Sequence, residues 1–74
     1  MMQRRFFIAR VYANYETAVR TIEQIYEHMD LEGAELEWRR LSRSGEPRAH
    51  SSLIVTAGRT WEEAELELKA RLGD

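Results

Sequence analysis

His50 and Ser52 are the residues whose types and spacing come nearest to nucleophilic chemistry. Both fall on one face of a predicted strand, where an imidazole could take a proton from a hydroxyl. No third group can be identified to orient the histidine, the chain has no cysteine, and no G-x-S-x-G turn is present. The pattern therefore favours polar side chains on an exposed face, and we expect no catalytic residue.

Acid–base and metal chemistry have equally little support. Carboxylates are frequent in the last predicted helix, at Glu62, Glu63, Glu65 and Glu67, but they fall at solvated positions. A hydrolase of the paired-carboxylate type needs two carboxyl groups that converge in a cleft. With two histidines and no cysteine, a structural zinc site is not expected either. We expect a protein that is not an enzyme and binds neither a metal nor a cofactor.

Aromatic and arginine side chains suggest a different chemistry, the binding of single-stranded nucleic acid. On an open sheet face Phe6 and Tyr12 could stack on bases, while Arg10, Arg39 and Arg48 contact phosphates. The sequence pI of about 5.7 is well below the usual value for such proteins. Nucleic-acid binding is therefore kept as the alternative function.

The segment from residue 48 to residue 72 loosely resembles the end of a double-stranded-RNA-binding domain, in which a strand runs into the last helix. That family places lysines at the start of this helix, where the present chain has Glu62 and Glu63. The departure removes the phosphate contacts, so the resemblance implies no RNA binding here.

Length and composition predict one small globular domain spanning residues 1–74. The chain has a net charge of −2, with 43% hydrophobic and 32% charged residues, which is ordinary for such a domain. A core of this size is marginal, and oligomerisation is a common remedy. No apolar stretch is long enough to span a membrane, and Arg10 interrupts any secretory h-region. We expect a cytoplasmic protein.

Hydrophobic periodicity divides the chain into five elements. The predicted elements are a strand at residues 4–13, a helix at 15–30, strands at 34–42 and 48–57, and a helix at 60–72. The first helix is inferred from the helical spacing of Ala18, Ile22, Ile25 and Met29 after a potential N-cap at Asn14.

The remaining elements are inferred from alternation and capping. Ala34, Leu36 and Trp38 alternate with charged residues, which is typical of a strand, and Gly33 is taken as the end of the preceding helix. Thr60 followed by Glu63 forms a capping-box pattern at the start of the last helix.

The resulting element order, βαββα, indicates an α+β fold. It resembles the split βαβ, or ferredoxin-like, arrangement without its last strand, over residues 4–72. The resemblance implies a three-stranded antiparallel sheet in the order 1-3-2, with the two helices on one face. The first strand would then be an uncovered edge, apolar on both faces.

An apolar strand with an open edge invites pairing with another chain. We therefore expect a protein-interaction module that forms a homodimer or binds a protein partner through residues 4–13 and the open sheet face, as a small regulator, inhibitor or adaptor. The residues expected to contact the partner are Phe6, Ile8, Arg10, Tyr12, Arg39, His50 and Ile54.

Overall fold

The computed structural model describes residues 3–14, 16, 19–44 and 51–73, within which lie three strands and two helices. The elements are β1 (Arg5–Asn14), β2 (Val19–His28), α1 (Leu31–Arg43), β3 (Ser51–Gly58) and α2 (Trp61–Arg71). The predicted α+β class, with three antiparallel strands in one open sheet and two helices, is confirmed. The predicted order βαββα is wrong, because the chain runs ββαβα.

The sheet has the order β2-β1-β3, and both of its strand pairs are antiparallel. The first strand is therefore central, and the predicted order 1-3-2 is wrong. Both edges of β1 are hydrogen-bonded, one to β2 and one to β3, so residues 4–13 do not form the open edge that the sequence suggested. The ferredoxin-like resemblance rested on the predicted element order, and the described residues do not have that order.

The two helices lie on opposite faces of the sheet. Leu41 of α1 packs with Ile8 and Leu53 on one face, together with the half-buried Ile25 and Val55; we call this cluster the α1 core. Leu68 of α2 packs with Ala9 and Val11 on the other face, and the half-buried residues of this α2 core are Ile22, Ile54, Trp61 and Leu72. The prediction of both helices on one face is therefore wrong, since successive residues of β1 feed two different cores.

The segment predicted as the first helix forms β2 instead, and its apolar residues divide between the two faces of the sheet. In the register, Ile8 pairs with Tyr26 whereas Ala9 pairs with Gln24, which leaves Ile25 as the extra residue of β2. Ile22 packs in the α2 core and Ile25 in the α1 core. Two apolar residues three positions apart thus point to opposite faces of a bulged strand, not to one face of a helix.

The segment predicted as the second strand forms α1. Its N-cap is Asp30, whose carboxylate accepts a 2.6 Å hydrogen bond from the backbone N–H of Gly33. Gly33 therefore lies in the first turn of a helix and does not end one. Ala34 and Leu41 are buried, whereas Leu36, which the alternation placed beside them, is 60% exposed.

The junction between β3 and α2 matches the prediction closely. The backbone N–H of Glu63 donates to the Thr60 hydroxyl at 3.3 Å, which confirms the predicted N-cap. Two further contacts hold α2 on the sheet: the buried Thr56 hydroxyl donates to the Ala64 carbonyl at 3.0 Å, and the rings of Phe7 and Trp61 meet edge to face at 5.6 Å. A Cβ on Gly58 would lie 2.6 Å from the Ala64 nitrogen, so only glycine fits this close approach.

In the part of the chain that the structure describes, neither helix combines the length and the apolar character needed to cross a membrane.

The strand assignment of residues 19–28 can be tested with a double-mutant cycle. Ile22→Ala and Ile25→Ala remove side chains from two cores on opposite faces, so we expect each to cost about 1–2 kcal/mol, less than a fully buried isoleucine. Their effects should add to within about 0.5 kcal/mol in urea unfolding, because the two side chains share no partner. A helix would place both on one stripe, so a coupling energy clearly above that value would contradict the bulged strand.

Candidate functional site

Four of the residues predicted to contact a partner lie along the α1-covered face of β1. Ile8 is completely buried, and Phe6, Arg10 and Tyr12 are half-buried. Phe6 lies between Ala57 of β3 and His28 of β2 in the strand register. These four side chains follow one strand, but the buried Ile8 separates them, so they do not form a continuous exposed surface.

Arg10 and Tyr12 contact each other at the end of this row. The Arg10 Nη1 donates to the Tyr12 hydroxyl at 3.4 Å, and its guanidinium carbon lies 6.0 Å from the centre of the tyrosine ring. In the register Arg10 stands beside Glu23 of β2 and Leu53 of β3. Its stem therefore lies within the sheet surface, and we read the pair as part of the packing of this face.

The other three residues predicted to contact a partner are Arg39, His50 and Ile54. Arg39 is exposed on α1 and Ile54 is half-buried on β3, and the structure brings them together at the lining of one groove. The prediction for His50 falls outside the described residues, and with it the pairing of His50 with Ser52.

The outer edge of β3 is where the groove lies. Trp38 of α1 donates its indole N–H to the Leu53 carbonyl at 2.7 Å, and Arg71 of α2 donates from Nη1 to the Val55 carbonyl at 3.1 Å. Both carbonyls therefore point away from β1, and one helix from each face reaches round the sheet to bond them. Side chains thus occupy two of the acceptors that an edge strand would otherwise present.

The backbone N–H groups on the same edge differ from the carbonyl groups, because no side chain in the described part of the chain bonds to them. In an antiparallel strand the N–H and C=O of one residue point to the same side, so the N–H groups of Leu53 and Val55 also face outward. Within the described residues neither of these N–H groups has a hydrogen-bond partner among the backbone or side-chain contacts. The edge of β3 therefore presents donors whose neighbouring acceptors are already engaged.

The groove along this edge has a volume of about 420 Å³, and we call it the β3 groove. It is lined by Glu35, Trp38 and Arg39 of α1, by Leu53, Ile54 and Val55 of β3, and by Arg71 of α2. β3 contributes the strand edge at residues 53–55 to this lining, and the helices contribute Trp38, two arginines and one glutamate. A strand edge beside aromatic and charged side chains is a surface along which an extended segment can bind.

The outer edge of β2 is a poorer place for a contact. Most of β2 is exposed, and Arg20, Glu23 and Glu27 put charge along it. Arg5 of β1 and Glu27 form a 3.1 Å ion pair across the two strands. Charges and a bulge are both devices that discourage further pairing at a sheet edge.

The ion pair between Glu37 and Arg40 lies on α1 outside the lining of the β3 groove. The Arg40 Nη2 is 2.6 Å from the carboxylate of Glu37, and this hydrogen bond raises the pKa of Arg40 above its ordinary value. The arginine is fully charged at any physiological pH, so the pair stabilises the helix and offers no titration chemistry.

Catalytic geometry is not evident among the described residues. Ser52 lies at a second cavity of about 300 Å³, where Arg20 donates to the Leu72 carbonyl at 2.8 Å. The Nε2 of His28 is buried without a hydrogen-bond partner in the described part of the chain. No group of three or more potential metal ligands occurs there either.

Sequence reasoning missed Trp38, Arg71, Leu53 and Val55 as groove residues. The alternation predicts Trp38 on a strand, whereas it lies on α1, lines the groove and is 37% exposed. The missing signal was the helix at residues 31–43, since Glu35, Trp38 and Arg39 share one side of a helix at spacings of three and four. Asp30 as an N-cap, followed by strong helix formers, would have indicated it.

Comparison with protein-family models, with curated proteins and with solved structures gives no match.

The bond between Trp38 and the Leu53 carbonyl can be tested with an aromatic side chain that lacks the donor. Trp38→Phe keeps an aromatic ring and loses the indole N–H, so we expect a loss of about 0.5–1.5 kcal/mol in urea unfolding followed by circular dichroism. Leu36→Ala is the control on the exposed side of the same helix, and it should stay within about 0.5 kcal/mol of the wild type. Equal stability of the two variants would mean that the indole bond does not hold α1 to the edge.

Proposed function

We propose that this chain is a non-enzymatic protein-interaction module that binds an extended segment of another chain along the β3 groove. The partner is a second copy of the chain or another protein, and the module acts as a small regulator, inhibitor or adaptor. The observation that carries the proposal is the outer edge of β3, where the N–H groups of Leu53 and Val55 face outward along the groove. The cytoplasmic location expected from the composition stays a prediction.

Strand addition is the recognition mode that fits these features. An extended segment laid against a sheet edge gains affinity from main-chain hydrogen bonds and specificity from pockets for alternate side chains. The N–H groups of Leu53 and Val55 supply the first, and the groove between α1 and α2 supplies the second. Trp38 stands at the wall of the groove, and tryptophan is among the residues most often dominant in binding energy.

The proposal keeps the class of function that the sequence suggested and moves its location. Pairing through an open strand edge was expected at the first strand, whose edges are both occupied by β2 and β3. The same physical argument applies to β3, which is an edge strand with an apolar centre. Arg39 and Ile54 are the predicted contact residues that stay in the proposed site.

Single-stranded nucleic acid is the less favoured alternative. Its proposed stacking residues, Phe6 and Tyr12, are half-buried on the face that α1 covers, with the fully buried Ile8 between them. Two bases could not stack there side by side, because Ile8 and Arg10 lie between the two rings on the same strand. No specific observation favours this function over strand addition.

A peptide-display selection tests the proposal, with short unstructured peptides selected on the immobilised protein. We expect binders to the wild type that lose binding to Val55→Pro, because proline removes the outward N–H and keeps the bonds to β1. Ile54→Pro is the matched control, since its N–H points toward β1 and its loss should unfold the sheet.

Circular dichroism must show that Val55→Pro folds. A synthetic chain with N-methylvaline at residue 55 removes the same N–H and keeps the side chain that packs in the α1 core. Analytical ultracentrifugation at tens of micromolar protein tests in parallel whether the partner is a second copy of the chain. A monomer that selects no peptide, or binders that the N-methylated chain retains, would contradict strand addition at β3.

A further inference from the structure

We propose that the occupant of the β3 groove is an acidic extended segment of another protein, held by its carboxylates as well as by its backbone. This inference rests on the proposed function and names the chemistry of the partner. Two features of the groove carry it: the asymmetry of its hydrogen-bonding groups and the charge of its walls.

The hydrogen-bonding groups of the edge favour a ligand rich in acceptors. The carbonyls of Leu53 and Val55 already accept bonds from Trp38 and Arg71. Their N–H groups, in contrast, have no partner within the described residues. A ligand that brings oxygen atoms therefore completes more bonds than one that brings N–H donors, and a carboxylate accepts bonds at both of its oxygens.

The walls of the groove favour the same kind of ligand by charge. Arg39 and Arg71 line it from opposite helices, and Glu35 is the one carboxylate in the lining. Both arginines are exposed, and the structure gives Arg71 one bond, to the Val55 carbonyl, which leaves the other guanidinium nitrogen atoms available. The planar guanidinium group matches a carboxylate in a two-bond geometry.

A second copy of the chain fits this groove less well than an acidic segment does. In a symmetric β3–β3 pair, the two-fold axis would bring the Arg39 and Arg71 pairs of both copies to one interface, with one Glu35 from each copy to offset them. Like charges at an interface oppose association.

The test uses short blocked peptides of alternating valine and glutamate, titrated into the ¹⁵N-labelled protein and followed by NMR. Matched peptides carry glutamine or lysine in place of every glutamate. We expect the glutamate peptide to shift the amide signals of Leu53 and Val55 and to bind about tenfold more tightly than the glutamine peptide, since each exposed ion pair is worth roughly threefold to fivefold. The lysine peptide should bind most weakly.

Arg39→Gln is the decisive variant, because its side chain lines the groove and makes no contact that the fold requires among those the structure describes. It should reduce the preference for glutamate over glutamine roughly threefold, because one of the two arginines that bind carboxylates is removed. Arg43→Gln is the matched control in the last turn of the same helix, outside the groove lining, and it should leave the preference intact.

The possible outcomes separate this inference from the proposed function. Equal binding of all three peptides at β3 overturns the acidic partner and keeps strand addition. A dimer in solution whose interface protects Leu53 and Val55, with no peptide bound, also overturns it and assigns the groove to a second copy. No binding and no association overturns both.

Discussion

The fold depends on the position of β1 at the centre of the sheet. Both of its edges are hydrogen-bonded, and three consecutive residues, Phe7, Ile8 and Ala9, are buried on alternating faces. A strand buried on both faces needs cover from two sides, and this is why α1 and α2 lie on opposite faces and not in one layer. In a chain of 74 residues, a single central strand thereby supplies the floor of both cores.

This central strand moves the open edges of the sheet to β2 and β3, and the two edges are handled in different ways. β2 is charged and bulged, which are general defences against unwanted pairing. On β3 the protection against pairing is partial. Trp38 and Arg71 donate to the carbonyls of Leu53 and Val55, whereas the N–H groups of the same two residues face outward without such a bond among the residues that the structure describes. Both carbonyls can be bonded because a helix lies on each face of the sheet, and one side chain of each helix reaches the edge of β3. The proposed function follows from that asymmetry.

Prediction from the sequence succeeded where one local signal was unambiguous. β1, β3 and α2 lie close to their predicted places, and the Thr60 cap forms as the Thr60–Glu63 spacing indicated. It failed in the middle of the chain. There the sequence of strand β2 has a helix-like spacing of apolar residues, and the sequence of helix α1 has a strand-like alternation. Ile22 and Ile25 of β2 have a helix-like spacing although they pack in two different cores, and the strand-like alternation in α1 includes Leu36, which is exposed.

The wrong assignment of residues 15–30 also led to the wrong location for the predicted contact surface. With residues 15–30 taken as a helix, β1 became an edge and its apolar residues became a contact surface, whereas Ile8 is fully buried. Neither Trp38 nor Arg71 could be placed beside β3 from periodicity, because their positions depend on which face each helix covers. That choice is made by the packing of Leu41 and Leu68 against alternate residues of β1.

Amide hydrogen exchange on the isolated protein at low concentration tests the central claim most directly. The account predicts slow exchange for consecutive amides along the centre of β1, and alternation along β3, with Ile54 and Thr56 slow and Leu53 and Val55 fast. Alternation along β1, or equal protection of all four β3 amides, would contradict a central first strand with a donor edge at β3.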